Sequence, residues 1–354
     1  MIESPLLEKL TGYIGGRWTD SADGNTFDVF NPATDEVIAK VASMPEQDIL
    51  DAVEAGKSAL RLTSPYSIET RRKWLEDIRD ALKENREEIG RILCMEHGKP
   101  WKEGQGEVEY AAGFFDYAAK HVQALDSHTI PEKPKDCTWT VHYRPIGVAG
   151  LIVPWNFPIG MIAKKLSGAL AAGCPSVIKP ASETPLTMIA FFSIMDKLDL
   201  PDGMVNLVMG KASMIGKVLC EHKDVPMLSF TGSTEVGRRL ILDTAEQVKK
   251  LSLELGGNAP YIVFDDADLD AAADNLIANK FRGGGQTCVC ANRIFVHEKV
   301  ADAFGEKLAE RVNKMTVGDG MKEDTDIGPL VNQPGFDKVK RHLEDALEKG
   351  GKLD

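Results

Sequence analysis

The sequence has few cysteines for its length, and they are widely separated. Six cysteines occur in 354 residues, and the opening segment MIESPLLEKL has neither a basic stretch nor an apolar core of the kind that directs export. Disulfide frameworks belong mainly to small secreted domains that are dense in cysteine. We therefore expect reduced thiols and a cytoplasmic protein without a disulfide framework.

The chain also has fewer basic than acidic residues. Lys and Arg number 42 against 54 Asp and Glu, which gives a net charge of −12. An acidic surface repels phosphate backbones and anionic lipid, and we find no local basic patch to offset it. We expect no nucleic-acid or membrane partner, and small molecules are the expected ligands.

Long apolar runs are missing, with one exception at residues 146–163. This run, IGVAGLIVPWNFPIGMIA, has 18 residues without a charge, close to the shortest bilayer span. Pro154 and Pro158 remove helix donors, and Asn156 lies near the centre. The run is therefore predicted to be a buried strand followed by an apolar loop.

The chain does have a regular alternation of short apolar strands and helices. Strands are predicted at 148–153, 176–179, 205–208, 227–230 and 250–254, with helices from Pro185, near Ser213 and from Ser233. A second segment follows, with strands at 261–264 and 294–297 and helices at 269–280 and 300–314. This alternation is typical of βαβ units and a doubly wound parallel sheet, so the predicted fold class is α/β.

Two upstream segments differ from this pattern. Apolar residues recur at three- and four-residue spacing from Glu69 to Gly98, which predicts one long amphipathic helix that ends at HGKP. Residues 128–145, HTIPEKPKDCTWTVHYRP, combine prolines with an alternation of Thr, Val and Tyr. That combination predicts a β-arm.

The stretch GGGQTCVCANR places Cys288 and Cys290 behind three glycines. A zinc site needs about four N or S ligands, usually in paired clusters. There is no second cluster, so no metal is expected. Glycines allow close approach to the chain, and a thiolate near backbone dipoles is nucleophilic, which suggests a nucleophile at Cys288.

Two further stretches each carry one polar residue with two interpretations. Glu254 ends an apolar strand in LSLELGGNAP: burial would raise its pKa toward that of a general base, or the acid points off the strand into water. Lys179 ends a strand in VIKPASETP, where open α/β sheets place their ligands, or it is a solvated surface lysine.

Two more stretches follow predicted strands. Asn156 in VPWNFP must find hydrogen-bond partners or serve as a donor, which makes it a candidate for an oxyanion hole. In FTGSTEVG a helix begins at Ser233 after a strand, as in anion sites. The stretch lacks both the Gly-x-Gly-x-x-Gly fingerprint and a P-loop lysine, so an ordinary βα turn remains the alternative.

Together, PWNFP, IKPASETP, FTGSTEVG, LELGGNAP and GGGQTCVCANR, in this order, resemble the aldehyde dehydrogenase superfamily. The resemblance runs from IGGRW at Ile14 to the end of the chain, and GQTCVCANR is most similar to the succinate-semialdehyde dehydrogenase branch. It implies a modified Rossmann cofactor domain, an α/β catalytic domain and a β-arm that pairs between subunits.

The resemblance assigns roles to individual residues. It implies that Cys288 is the nucleophile, Glu254 the general base and Asn156 the side-chain donor to the oxyanion, with the Cys288 N–H as second donor. Cys290 is either a redox partner of Cys288 or a small packing residue. The positions that line the cofactor are Trp155, Asn156, Lys179, Pro180, Ala181, Ser182, Gly232, Ser233 and Leu255.

The same resemblance implies a reaction and a substrate. The expected reaction is oxidation of succinate semialdehyde to the carboxylate through a thiohemiacetal and a thioester. Arg282 matches an arginine that binds the substrate carboxylate in this branch. Lys164 replaces a second such arginine and cannot form the two parallel hydrogen bonds of a guanidinium group, so glutarate semialdehyde is the alternative substrate.

Ser182 stands where NAD-preferring relatives often carry a carboxylate, so NADP is expected to be preferred, with NAD as the alternative.

Domain limits and assembly are likewise implied. Residues 1–127 and 146–254 are assigned to the NAD(P)-binding domain, 128–145 to the oligomerisation arm and 255–354 to the first part of the catalytic domain. Family members continue beyond the position of Asp354, so a C-terminal truncation is expected, with a homodimer or homotetramer for the full-length form. A non-catalytic fragment that binds nucleotide is the alternative.

Overall fold

The structure, a computed structural model, describes residues 1–63 and 66–352 of the chain. The strands in these ranges are β1 (Gly12–Ile14), β2 (Arg17–Thr19), β3 (Thr26–Asn31), β4 (Glu36–Ala42), β5 (His128–Thr129), β6 (Thr140–Val141), β7 (Ala149–Ile152), β8 (Ser176–Lys179), β9 (Val205–Leu207), β10 (Met227–Gly232), β11 (Lys250–Leu255), β12 (Ala259–Val263) and β13 (Ala291–Val296). The α-helices are α1 (Glu46–Thr63), α2 (Ile68–Glu84), α3 (Arg86–His97), α4 (Trp101–His121), α5 (Pro158–Ala172), α6 (Pro185–Met195), α7 (Ala212–Glu221), α8 (Thr234–Thr244), α9 (Leu269–Lys280), α10 (Ala301–Val312) and α11 (Gln333–Glu348).

A seven-stranded sheet in the order β11-β10-β7-β8-β9-β1-β2 forms the centre of the fold. Strands β7 to β11 pair in parallel, whereas β1 runs antiparallel to both β9 and β2. All four residues of β8 are buried, as in a strand that helices cover on both faces. The predicted α/β fold is confirmed, and β8 has the predicted bounds.

The helix predicted as one segment over Glu69–Gly98 is two helices, α2 and α3, which meet at Asn85. Asn85 has φ −103° and ψ 14°, and its side chain donates a hydrogen bond to the carbonyl of Ala81 at 2.9 Å. This bond closes the end of α2 and turns the chain. The apolar spacing continues across the break, from Leu82 to Ile89, so periodicity alone does not locate it.

The apolar run at residues 146–163 forms β7, a loop at 153–157 and the start of α5. The predicted loop is wrong beyond Phe157, because Pro158 takes the first helical position, where its missing N–H costs no hydrogen bond. None of the helices in the described ranges is long and apolar enough to cross a membrane.

The segment predicted as a β-arm contains a short antiparallel pair, β5 with β6. The central sheet takes β1 and β2 from the start of the chain and β7 to β11 from the segment after the arm. Strands β12 and β13 form a separate parallel pair that packs with α9. The domain limits at residues 127, 145 and 254 stay predictions.

Helices α5 and α6 begin in buried surroundings without capping side chains of their own. Glu107 of α4 accepts hydrogen bonds from the N–H groups of Ile159 and Gly160, both at 3.0 Å. Glu96 of α3 accepts from the second and third residues of α6, at 2.7 and 2.8 Å. Because an unpaired buried donor costs about 1–3 kcal/mol, these two glutamate side chains are what allow the helices to start inside the protein.

Burial raises the pKa of Glu96 from its usual 4.5 to about 8, although its hydrogen bonds act in the opposite direction. The folded protein therefore holds this proton at pH values where the unfolded chain has lost it. The linked stability is fully present below pH 4.5 and is lost as the pH rises through about 8. Since Glu96→Gln imitates the neutral acid, its unfolding free energy should fall less with pH, measured by urea denaturation between those limits.

The matched control for this substitution is Glu87→Gln, an exposed position on α3. Its unfolding free energy should follow the pH dependence of the parent chain. Parallel curves for Glu96→Gln and the parent would show that Glu96 does not carry the proton over this range.

Candidate active site

Four of the predicted site residues lie at the carboxyl ends of adjacent parallel strands. Glu254 is in β11, Ser233 follows β10, Asn156 follows β7 and Lys179 ends β8. After β9 the chain returns to the other side of β7 as β10, so the strand order reverses between β7 and β10. In open α/β sheets ligands bind at such a switch point, outside the carboxyl ends of the strands.

The loop before Cys288 depends on three consecutive glycines. Gly283, Gly284 and Gly285 have φ values of 59°, 64° and 76°, a left-handed region that residues with a Cβ rarely adopt. The N–H of Gly283 donates to Glu103 of α4 at 2.7 Å. Burial raises the pKa of that carboxyl, and this hydrogen bond opposes the rise. Cys288, just beyond the turn, is exposed.

Asn156 joins this loop to the end of β7. Its Nδ2 donates to the carbonyl oxygen of Gln286, two residues before Cys288, at 2.8 Å. The Gln286 side chain is itself held, because Oε1 accepts from the N–H of Val331 at 3.1 Å and Nε2 donates to the carbonyl of Gly283 at 3.0 Å. The Asn156 amide is thus anchored to the cysteine loop, and its second N–H has no acceptor among the residues that the structure describes.

Lys99 and Glu107, which the sequence analysis did not single out, hold the backbone of Asn156. The Nζ of Lys99 donates to the Asn156 carbonyl oxygen at 2.8 Å and to Glu107 at 2.7 Å. Both charged side chains are only 1% exposed. A buried ion pair is therefore hydrogen-bonded to the backbone of the candidate oxyanion donor, Asn156.

Helix α4 contacts both loops of the site through one face. Glu103 and Glu107 are four residues apart, so they lie on the same side of the helix. Glu103 binds the loop that leads to Cys288, and Glu107 binds the loop that carries Asn156 through Lys99. A signal was present in the sequence, since Glu107 shares a helical stripe with apolar side chains at the following turns.

Glu254 is exposed and ion-paired rather than buried. Strand β11 alternates exposed and half-buried residues, and the Glu254 side chain is 44% exposed and meets the Nζ of Lys164 at 2.8 Å. The hydrogen bond from Lys164 lowers the pKa of Glu254 and outweighs desolvation. The interpretation in which burial raises this pKa is therefore wrong, because the acid lies on an edge strand that is open to water.

Arg282 packs against the aromatic neighbour of Asn156. Its guanidinium carbon lies 5.0 Å from the centre of the Phe157 ring, a cation–π distance. Arg282 is exposed, so its N–H groups can reach a ligand beside that ring. The structure thus brings Arg282 to the Asn156 loop and leaves Lys164 paired with Glu254.

Cys290 is buried, at 1% exposure. Its Sγ donates to the carbonyl of Gly285 at 3.0 Å and accepts from the hydroxyl of Thr287 at 2.9 Å. These contacts close the turn that carries Cys288 and favour the packing role over the redox role. In the described part of the chain, no three His, Cys, Asp or Glu side chains are placed to hold a metal ion.

The residues assigned to the cofactor lie along the same strand edge. Lys179 is 6% exposed, burial lowers its pKa, and its Nζ forms no hydrogen bond with any residue that the structure describes. A largely buried lysine whose Nζ has no such hydrogen bond fits a site for ligand hydroxyls. Of the other assigned positions, Pro180 and Ala181 are buried, Trp155, Gly232 and Leu255 are half-buried, and Ser182 and Ser233 are exposed.

Helix α8 supplies a second feature that fits a dinucleotide. Ser233 is its N-cap, and the Ser233 hydroxyl accepts from the N–H of Val236 at 3.2 Å. The remaining N–H groups of the first turn suit a phosphate. The helix packs closely on β11, since a Cβ at Gly237 would lie 2.5 Å from Leu255. The residues present therefore fit NAD(P).

Comparison with known proteins identifies the chain's relatives. The aldehyde dehydrogenase family model matches residues 18–354. The chain is 45% identical over 356 residues to glutarate-semialdehyde dehydrogenase of Pseudomonas putida. The aligned region covers 99% of this chain and 73% of that protein. It is also 42% identical over 340 residues to the NADP(+) succinate-semialdehyde dehydrogenase of Escherichia coli. That alignment covers 96% of this chain and 70% of that protein.

A solved structure agrees with these matches. The oxidoreductase from Marinobacter aquaeolei is 88% identical, with a TM-score of 0.98, and covers 100% of this chain and 74% of that one. The resemblance carried by the five stretches is thereby confirmed for sequence and fold alike. The chain belongs to the aldehyde dehydrogenase family.

Proposed function

We propose that the protein oxidises an aldehyde with a terminal carboxylate, succinate semialdehyde or glutarate semialdehyde, with NAD(P) as the oxidant. The observation that carries this proposal is the hydrogen bond from Asn156 to the Gln286 carbonyl, because it joins an amide donor to the loop that carries an exposed thiol. The names of the Pseudomonas putida and Escherichia coli relatives support the substrate class.

Cys288 is the proposed nucleophile. Its thiolate adds to the aldehyde carbon, and the charge that develops on the aldehyde oxygen is stabilised by Nδ2–H of Asn156 and the N–H of Cys288. NAD(P), when bound, supplies a hydride acceptor for the resulting thiohemiacetal. A thioester on Cys288 is then left to be hydrolysed.

Glu254 is the proposed general base for that hydrolysis. It takes a proton from the water that attacks the thioester, the C–S bond breaks, the carboxylate product leaves and the Cys288 thiol is restored. Because Lys164 lowers the pKa of Glu254, the carboxylate is ionised at neutral pH. Lys164 is thus paired with Glu254 and would have to bind a substrate carboxylate as well, whereas Arg282 forms no ion pair with any residue in the described ranges.

For the cofactor we propose NADP, with NAD as the alternative. The buried Lys179 adds positive charge near the exposed Ser182, and no carboxylate stands at position 182 to repel a 2′-phosphate. Glu183 follows and is half-buried.

For assembly we propose a homodimer or homotetramer that pairs through the β5–β6 arm, because both of its short strands leave backbone edges open.

Glu254→Gln should retain the first burst of reduced cofactor and lose steady turnover by about 100-fold or more, because only hydrolysis needs the base. Stopped-flow absorbance of the reduced cofactor measures both phases. Glu246→Gln, at an exposed position near the end of α8, is the control. Normal turnover in Glu254→Gln would remove Glu254 from its role, and no cofactor reduction by the parent chain would favour the nucleotide-binding alternative.

Ser182→Glu should reverse the cofactor preference. The parent chain is expected to have a higher kcat/KM with NADP than with NAD, and a carboxylate at this position should lower the NADP value by about tenfold or more through charge repulsion. Steady-state kinetics with each cofactor gives the ratio. Ser58→Glu, an exposed position on α1, should leave it unchanged. A parent preference for NAD would contradict the argument from Ser182.

Arg282→Ala should raise KM for succinate semialdehyde by about tenfold or more while changing KM for butanal little, since a hydrogen bond to a charged group contributes about 1.5–3 kcal/mol. The parent chain should favour the charged aldehyde over the neutral one of equal length. Arg61→Ala, an exposed arginine on α1, is the control. Equal efficiency of the parent with both aldehydes would count against the substrate class and leave the oxidation chemistry intact.

A further inference from the structure

We infer that the buried Lys99–Glu107 pair positions Asn156 as the oxyanion donor, which makes both charged groups positioning residues for the first chemical step. The inference rests on the proposed function of Asn156. It concerns a segment, residues 99–107, that lies more than 45 residues before the nearest assigned site residue in the sequence.

The ammonium group of Lys99 is engaged in three directions. Nζ donates to the carbonyl oxygen of Asn156 at 2.8 Å and to Oε2 of Glu107 at 2.7 Å. It also lies 4.4 Å from the ring centre of Phe157. Lys99 therefore contacts two consecutive residues of the loop after β7, one through its backbone and one through its side chain.

Glu107 fixes the far end of the same loop. Its Oε1 accepts the N–H groups of Ile159 and Gly160 in the first turn of α5, both at 3.0 Å, and its Oε2 accepts from Lys99. One ion pair thus binds the chain immediately before and immediately after Pro158. The loop has little freedom to shift relative to α4.

Stability alone does not account for such a pair. Moving two charges out of water is costly, and apolar residues of similar volume often serve a buried position equally well or better. A network with every donor and acceptor satisfied does, however, hold one geometry. The geometry held here is that of the Asn156 backbone, from which Nδ2 reaches the carbonyl of Gln286 at 2.8 Å.

The consequence is a donor that is in place before the aldehyde arrives. Donors that need no reorientation lower the barrier for charge developing on oxygen. A misplacement of about 1 Å can cost about 100-fold in rate. Loss of the Lys99–Glu107 pair should therefore slow the first chemical step, and it should do so through Asn156.

A double-mutant cycle on the first-burst rate with saturating succinate semialdehyde and NADP tests this route. The four proteins are the parent, Lys99→Met/Glu107→Gln, Asn156→Ala and the combination of all three substitutions. The paired substitution leaves no buried charge unpaired, and the new amide oxygen can still accept from α5. Lys102→Met/Glu109→Gln, at two exposed positions of α4, is the matched control, and thermal unfolding checks each fold.

Asn156→Ala should slow the burst by about 100-fold or more. Lys99→Met/Glu107→Gln should slow it by about tenfold or more in the parent, and by less than about twofold when Asn156 is already Ala, because coupled residues are non-additive. KM for the aldehyde should change little, and the control protein should match the parent.

Equal slowing in both backgrounds, or no slowing in the parent, overturns the inference and leaves the proposed function intact. An Asn156→Ala burst at the parent rate overturns the role of Asn156 instead, so the two failures are distinguishable. If the paired variant does not fold, the cycle is run with Glu107→Gln alone, which removes the carboxylate that holds Lys99 in place and is read by the same two outcomes.

Discussion

Buried backbone donors at two helix starts are the constraint on which the rest of the site depends. Helices α5 and α6 follow the strands that lead to Asn156 and Lys179, so their first N–H groups lie where water does not reach them. Glu107 and Glu96 satisfy these groups from neighbouring helices. Both glutamates belong to the segment around Lys99, and this one stretch therefore supports the start of each helix and the loop before it.

The inner and outer parts of the site differ in their electrostatics. Inside, Lys99 and Glu107 are shielded from water, and their hydrogen bonds keep one geometry. Outside, the side chains of Lys164 and Glu254 are 42% and 44% exposed, and such a pair contributes only about 0–1 kcal/mol. The Lys99–Glu107 pair can therefore hold Asn156 in one position. The Lys164–Glu254 pair is weak enough to separate when another charged group or a water molecule enters.

Much of the fold could be predicted from the sequence because apolar periodicity records which faces of an element are buried. Strand Ser176–Lys179 and helix Leu269–Lys280 have the predicted bounds. The break at Asn85 was missed because the apolar spacing continues across it. The start of α5 at Pro158 was missed because the run around it is uncharged and apolar on every side except at Asn156, so it shows no helical period.

The sequence indicates which chemical groups the site contains: a thiol after three glycines, an amide between two prolines, a carboxylate and a lysine. Their partners are evident only in the folded chain. It set Lys99 on Asn156, 57 residues away, and Lys164 on Glu254, 90 residues away. Burial and charge pairing depend on which distant segments pack together, and local sequence patterns hold no record of that. The burial and the pKa of Glu254 could therefore not be predicted from its own strand, because both depend on the distant Lys164.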